Sequence, residues 1–240
     1  MQQIGRRLDR AVHLTVRNAF VLCVPCVVAE LGATALDALT SNDWNGYLVW
    51  LVVASLLEVW ARVAVVCALR DMNFARALGA ALRRPALLLY VVVACAEPWL
   101  LDISFNLWSP LLFAAGSLVV FASMLALVDS VAGGVSPGRA FAYWLREMCR
   151  WRRLGVNLVG ALVASCLMVL VPDILSDLPW SDTAWASALL AVAYGVGDAF
   201  AMVFVVLWYE AALDERYGRD IERVLDGPAG GPVSARIAAP

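Results

Sequence analysis

Lysine is absent from this 240-residue chain and histidine occurs once, as His13, so all 18 basic residues are arginines. A single histidine rules out histidine-rich metal sites and histidine acid/base constellations. His13 itself lies on an amphipathic stretch and reads as a plain interface residue. Charge of either sign is scarce: 16% of residues are charged against 62% hydrophobic, with a mean hydropathy of +0.78. No water-soluble domain could hide that much apolar surface, so the composition defines a polytopic membrane protein. The missing lysine, with abundant Ala, Val and Leu, matches a GC-rich bacterial genome and points to a bacterial inner membrane.

The motifs of chemistry are missing as well. There is no paired-aspartate motif, no histidine cluster and no serine nucleophile with a base nearby, so the chain reads as non-enzymatic, without cofactor or metal. Of the six cysteines, five fall in apolar runs and Cys149 lies outside them, which does not make a disulfide framework. Cys23-Val-Pro-Cys26 has redox-motif spacing but lacks a soluble βαβ context, and reads as small core residues.

What the chain does contain is one unit used three times: a basic amphipathic helix running into an apolar span. In the stretch from Ser136 onward, Phe141, Trp144, Leu145 and Met148 recur at i, i+3, i+4 and i+7, while Arg139, Arg146, Arg150 and Arg153 occupy another face. Such a helix is expected to lie in the membrane interface. The apolar residues behind Arg153 are enough to cross a hydrocarbon core of about 30 Å. Residues 1–17 and 70–84 repeat the amphipathic pattern. Six spans are predicted: about Ala19–Leu36, Gly46–Leu69, Ala86–Leu101, from Ser109-Pro110 to near Asp129, Leu154–Val171 and Thr183–Trp208, the last continuing as helix to Arg216. Ser109-Pro110 and Ser136-Pro137 supply a cap and a first-turn proline. The first span, with its basic lead and Ala33-Thr34-Ala35, imitates a secretory signal; its match to the two later units argues that it is retained.

The predicted architecture is therefore all-α: a polytopic integral membrane protein with six transmembrane helices, three interfacial amphipathic helices and a threefold internal repeat. The single membrane domain covers residues 1–226, in units of about 3–69, 70–134 and 136–216, and a disordered tail covers 227–240. The entry arginines Arg17, Arg84 and Arg152 are followed at equal spacing by Glu30, Glu97 and Ser165. Arginines crowd the N-terminus, the 70–84 and 136–153 links and the tail, and are absent from the other three links. That asymmetry places both termini in the cytoplasm. Trp44, Trp99, Trp108, Trp180 and Trp185 then mark the outer interface, and Trp144, Trp151 and Trp208 the inner one.

VRNAFVLC at 16–23, the Ala-Leu-rich helix at 75–82, LVDSVAGGVSPGRAFAYWLREMCRWRR and the closing FVVLWYEAALDERYGRDIE carry a likeness. Over about residues 10–224 the chain resembles a superfamily of six-span bacterial membrane proteins. That superfamily includes the membrane domain of glycerophosphodiester phosphodiesterases and stand-alone inner-membrane proteins of unknown function. The resemblance implies fold and carries no catalytic residue. In the fused members the esterase chemistry belongs to a soluble barrel, and a barrel of about 250 residues does not fit in this chain.

Two sets of residues are functional candidates. Arg76, Arg84, Arg139, Arg146, Arg150 and Arg153 are placed to pair with lipid phosphates, at about 1 kcal/mol per basic residue near an anionic surface, although the topology alone requires the same arginines. The expected partners are membrane lipids and other membrane proteins, not nucleic acid. The second set is intramembrane: Glu30, Glu58, Glu97 and Asp198 motivate a transporter or channel as the alternative to a scaffold or lipid-interacting module. Glu30 and Glu97 are assigned to the outer span ends, near water. Asp198 and Arg62 are predicted at similar depth, about 15 and 12 Å from the basic side. Glu58 is one turn from Arg62. A buried cluster of Glu58, Arg62 and Asp198 is therefore expected to link spans 2 and 6, as structural glue ahead of a proton or substrate site.

The topology is directly testable. In a cysteine-free background, Asn42→Cys, Asn106→Cys and Ser181→Cys should react with an impermeant thiol reagent from outside sealed cells, and Ser136→Cys should not. Labelling at position 136 would invert the orientation.

Overall fold

The computed structural model describes residues 2–40, 44–71, 89–98, 100, 109–170 and 184–225. Among these residues all regular structure is helical, with no strand. The helices are α1 (Gln2–Arg17), α2 (Ala19–Leu39), α3 (Trp44–Asp71), α4 (Leu89–Pro98), α5 (Pro110–Ala132), α6 (Pro137–Met148), α7 (Leu154–Ser165, continued by a π-helical turn Cys166–Leu170) and α8 (Ala184–Leu225). Four segments are long and apolar enough to cross a bilayer: Ala19–Leu39, Trp44–Leu69, Pro110–Ala132 and Trp185–Glu215. They mark the chain as a membrane protein. The described parts of α4 and α7 are shorter, at 10 and 12 residues. Arg70 and Asp71, predicted to open an amphipathic helix at 70–84, end α3 instead; the rest of that predicted helix, with Arg76 and Arg84, and the 227–240 tail lie outside the described residues.

The core follows from the apolar patterning. Ala61–Ala68 of α3 and Ala201–Tyr209 of α8 are buried without interruption, and so is Val120–Val128 of α5. A helix buried on all faces belongs at the centre of a bundle, and these three segments pack on one another. The opposite ends of α3 and α5 are exposed, with Trp44 at 66% and Leu111 at 82%. At the arginine-rich end α6 packs along α5, and α1 packs on α8. α1 turns Ile4, Leu8 and Ala11 to the bundle, mainly against α8, and leaves Arg6, Arg10 and Arg17 exposed. α2 packs along both α3 and α8, joined to α3 by a hydrogen bond from the Trp50 indole to the Ala33 carbonyl (3.1 Å). At the crossing with α8, a Cβ on Gly195 would stand 2.6 Å from the Val27 backbone. Only glycine permits that approach, the usual role of small residues between membrane helices. None of the six cysteines is in a disulfide, and Cys23 and Cys26 are buried on α2.

α6 is the amphipathic helix predicted after Ser136, but its apolar face is not turned to lipid. Trp144 and Met148 are fully buried against α5 and α8. Asp129 is the reason. It lies on the last turns of α5, where one carboxylate oxygen accepts the Trp144 indole N–H (3.2 Å) and the other the Tyr209 hydroxyl (3.0 Å). A buried indole N–H needs an acceptor, which the bundle supplies and acyl chains cannot. The Tyr90 hydroxyl of α4 donates to the Pro137 carbonyl (3.4 Å) and, with its one proton so used, accepts from the Ser130 hydroxyl (2.9 Å). From the other side, Asn157 of α7 donates to the Glu147 and Met148 carbonyls that end α6. The break between α5 and α6 is made by Gly134 in the left-handed region (φ 69°). Pro110 and Pro137 occupy first-turn positions as predicted, but the hydroxyls of Ser109 and Ser136 make no capping bond. Trp208, expected at the interface, is in the core at 4% exposure.

Asp129→Ala should lower the thermal midpoint in detergent by an amount corresponding to about 1–3 kcal/mol, because two buried donors lose their acceptor. Trp144→Phe should cost about 1 kcal/mol alone and less in the Asp129→Ala background. Equal costs of Trp144→Phe in the two backgrounds would remove Asp129 as the link between α5 and α6.

Candidate functional site

The most heavily charged point of the interior is Arg62, at 4% exposure in the middle of α3. Its guanidinium is shared by carboxylates from three helices. Nε donates to Asp198 Oδ1 of α8 at 3.0 Å. Nη1 and Nη2 donate to the two oxygens of Glu97 on α4, both at 3.0 Å, in the bidentate fork that guanidinium and carboxylate form best. Nη2 also pairs with Glu58, one turn earlier on α3. Asp198 and Glu97 are buried, whereas the Glu58 side chain retains 23% exposure. Glu30, half-buried on α2, is near enough to Arg62, Asp198 and Glu97 to feel their charges, and the buried Cys26 lies beside Asp198.

Local sequence explains the convergence. The i, i+4 spacing stacks Glu58 and Arg62 on one face of α3. Gly195 lets α8 close on α2 one turn before Asp198, which carries that carboxylate to the α2–α3 seam. Four contacts to oxygen draw on the five N–H donors of the guanidinium. Charge is less well matched than hydrogen bonding. Three carboxylates against one guanidinium leave a formal excess of two negative charges when all are ionised, an imbalance that proton or cation uptake would neutralise.

The structure thus brings together Glu58, Arg62 and Asp198, and adds Glu97, which the residue count had assigned to the outer end of its span. Counting from Arg84 places Glu97 about 20 Å from the basic side, against about 12 Å for the backbone of Arg62. Helical side chains lean toward the N-terminus of their helix, however. The Arg62 head is thereby carried away from the arginine-rich end to the level of Glu58 and within reach of Glu97. The equal spacing of Glu30 and Glu97 after their entry arginines was the available signal: both carboxylates face the same cluster.

The candidate lipid contacts divide. Arg139 and Arg146 are exposed on α6. Arg150 pairs locally with Glu147 at the end of α6 (3.4 Å), whereas Arg153 pairs with Glu147 of α6 (3.7 Å) and with Glu215 of α8 (2.8 Å) and so ties helices together. Arg76 and Arg84 lie outside the described residues. Among the described residues no group of three or more His, Cys, Asp or Glu side chains is arranged to hold a metal ion. Comparison with protein-family models, with curated proteins and with solved structures finds no match.

Arg62→Met should destabilise the protein in detergent by about 3–5 kcal/mol, because it strands buried carboxylates. Adding Asp198→Asn should recover part of that loss, and adding Glu97→Gln as well should recover more. A double-mutant cycle without coupling between positions 62 and 198 would show that the contact carries no energy.

Proposed function

We propose that this chain is a non-enzymatic, six-span protein of a bacterial inner membrane, with both termini cytoplasmic, acting as a lipid-interacting scaffold or assembly module. The repeated unit of amphipathic helix plus two spans is its building plan. The observation that carries this reading is the way Arg62 is used. Its donors are engaged by Glu58, Glu97 and Asp198 of the protein itself, which suits a cross-link between α3, α4 and α8 better than a vacant binding site. The exposed Arg139 and Arg146 on α6 supply a basic surface toward lipid headgroups.

A second reading is favoured by the excess of carboxylate over guanidinium at the same cluster: transport coupled to protons or small cations, as intramembrane carboxylates often mark such paths. Proteoliposomes separate the two. Under imposed proton, sodium or potassium gradients, a pH-sensitive dye trapped inside should report no protein-dependent flux if the cluster is a cross-link. Mass spectrometry of a mild extract should at the same time find retained lipids. Protein-dependent flux that Asp198→Asn abolishes would overturn the scaffold reading in favour of transport.

A further inference from the structure

The arginine-rich end holds a cavity of about 150 Å³ between α1, α7 and α8, a volume that in other proteins admits a benzene-sized group. Its floor is Trp208, buried and held edge-on by Phe121 (5.6 Å between ring centroids). α7 lies flush on that ring, since a Cβ on Gly160 would meet it at 2.6 Å. The Arg7 guanidinium of α1 stands 4.5 Å over the centre of the indole. Arg153 and Glu215, paired at 2.8 Å, form the opposite wall, and Val156, 53% exposed at the start of apolar α7, forms the edge.

Arg7 is the unusual member. Among the described residues no carboxylate oxygen comes within ion-pair distance of it, although it is half-buried. Burial lowers its pKa, and the more distant charge of Glu215 only partly opposes that. The indole face attracts its charge but accepts none of its five N–H donors conventionally. A phosphodiester suits the Arg7 guanidinium, because guanidinium donors match phosphate oxygens two at a time. A purely anionic headgroup fits less well, because Glu215 lines the same wall. A second cavity of about 340 Å³ is lined by Glu210 and Asp214 of α8 and by Arg6, Arg7 and Arg10 of α1. Walls of both signs suit a headgroup of both signs.

We infer that this cavity binds a zwitterionic aminophospholipid headgroup. The phosphodiester lies between Arg7 and Arg153, the primary ammonium is held by Glu215, and the acyl chains leave over Val156 along α7. The site deepens the lipid-interacting reading and rests on it.

The test is native mass spectrometry of the full chain in detergent, titrated with phosphatidylethanolamine, phosphatidylglycerol and phosphatidylcholine. Wild type should bind phosphatidylethanolamine most tightly. Arg7→Gln should weaken that binding about tenfold, the loss of one charge-assisted hydrogen bond. Glu215→Gln changes a partly exposed side chain, and should weaken phosphatidylethanolamine while strengthening phosphatidylglycerol, so the assignment stays testable if Arg7→Gln misfolds. Unchanged affinities in both variants, or a wild-type preference for phosphatidylglycerol, would overturn the site. Competition by soluble phosphoethanolamine at the lipid's own affinity would overturn the lipid assignment. If lipid retention instead falls in Arg139→Gln and Arg146→Gln alone, the lipid-interacting reading survives without this cavity; if no variant alters retention of any lipid, both fail.

Discussion

The bundle depends on a single positive charge placed where positive charge is hardest to keep. Arg62 sits within α3 with apolar helices around it, and its guanidinium is tolerable there only because α4, α8 and its own helix surround it with oxygen. The same contacts work in reverse, since Glu97 and Asp198 are buried and need Arg62 as much as it needs them. In hydrocarbon, apolar surface alone does not choose among ways of packing helices, because lipid tails solvate leucine as well as protein does. A directional polar cluster does choose. Arg62 therefore fixes which helices are neighbours and at what depth, while Gly195 permits the close approach of α2 and α8.

A second polar junction organises the arginine-rich end. Asp129, Trp144 and Tyr209 bind the end of α5 to α6 and α8, with Tyr90 and Asn157 bracing α6 from either side. Both junctions obey one rule: a polar group withdrawn from water is satisfied by protein. They differ in consequence. At Asp129 the partners are neutral donors and a short amphipathic helix is held in place, whereas at Arg62 the partners are charges and the charges do not cancel.

Much of this was legible in the sequence because its causes are local. Long apolar runs set the four helices able to cross a bilayer, the break at Asn18 separates α1 from α2, and Gly134 with Pro137 separates α5 from α6. The pairing of Arg62 with Asp198 was legible too, since residue counts from the basic side convert into depth. Glu97 escaped the count because depth was reckoned from backbones, and a long side chain moves its charge along the helix axis. The docking of Trp144 and Met148 escaped for a different reason: periodicity reveals that a helix has an apolar face but is silent on whether lipid or protein covers it. Trp208 shows the same limit. A tryptophan near a span end satisfies the rule for interface anchors, yet here it serves as the base of a cavity, a role set by α1 and Gly160, which are remote in sequence.

α8 is described as one uninterrupted helix of 42 residues, about 63 Å long and roughly twice the thickness of a hydrocarbon core. Asp198 stands on it in mid-bundle, Trp208 and Glu215 line the cavity further along, and the last turns continue beyond both. A helix of this kind behaves as a stiff axle. Twisting it by one residue's worth, about 100°, would withdraw Asp198 from Arg62 and Trp208 from beneath Arg7 in the same movement. The interior charge cluster and the surface cavity therefore share one continuous helix, and any rotation of α8 would disturb both.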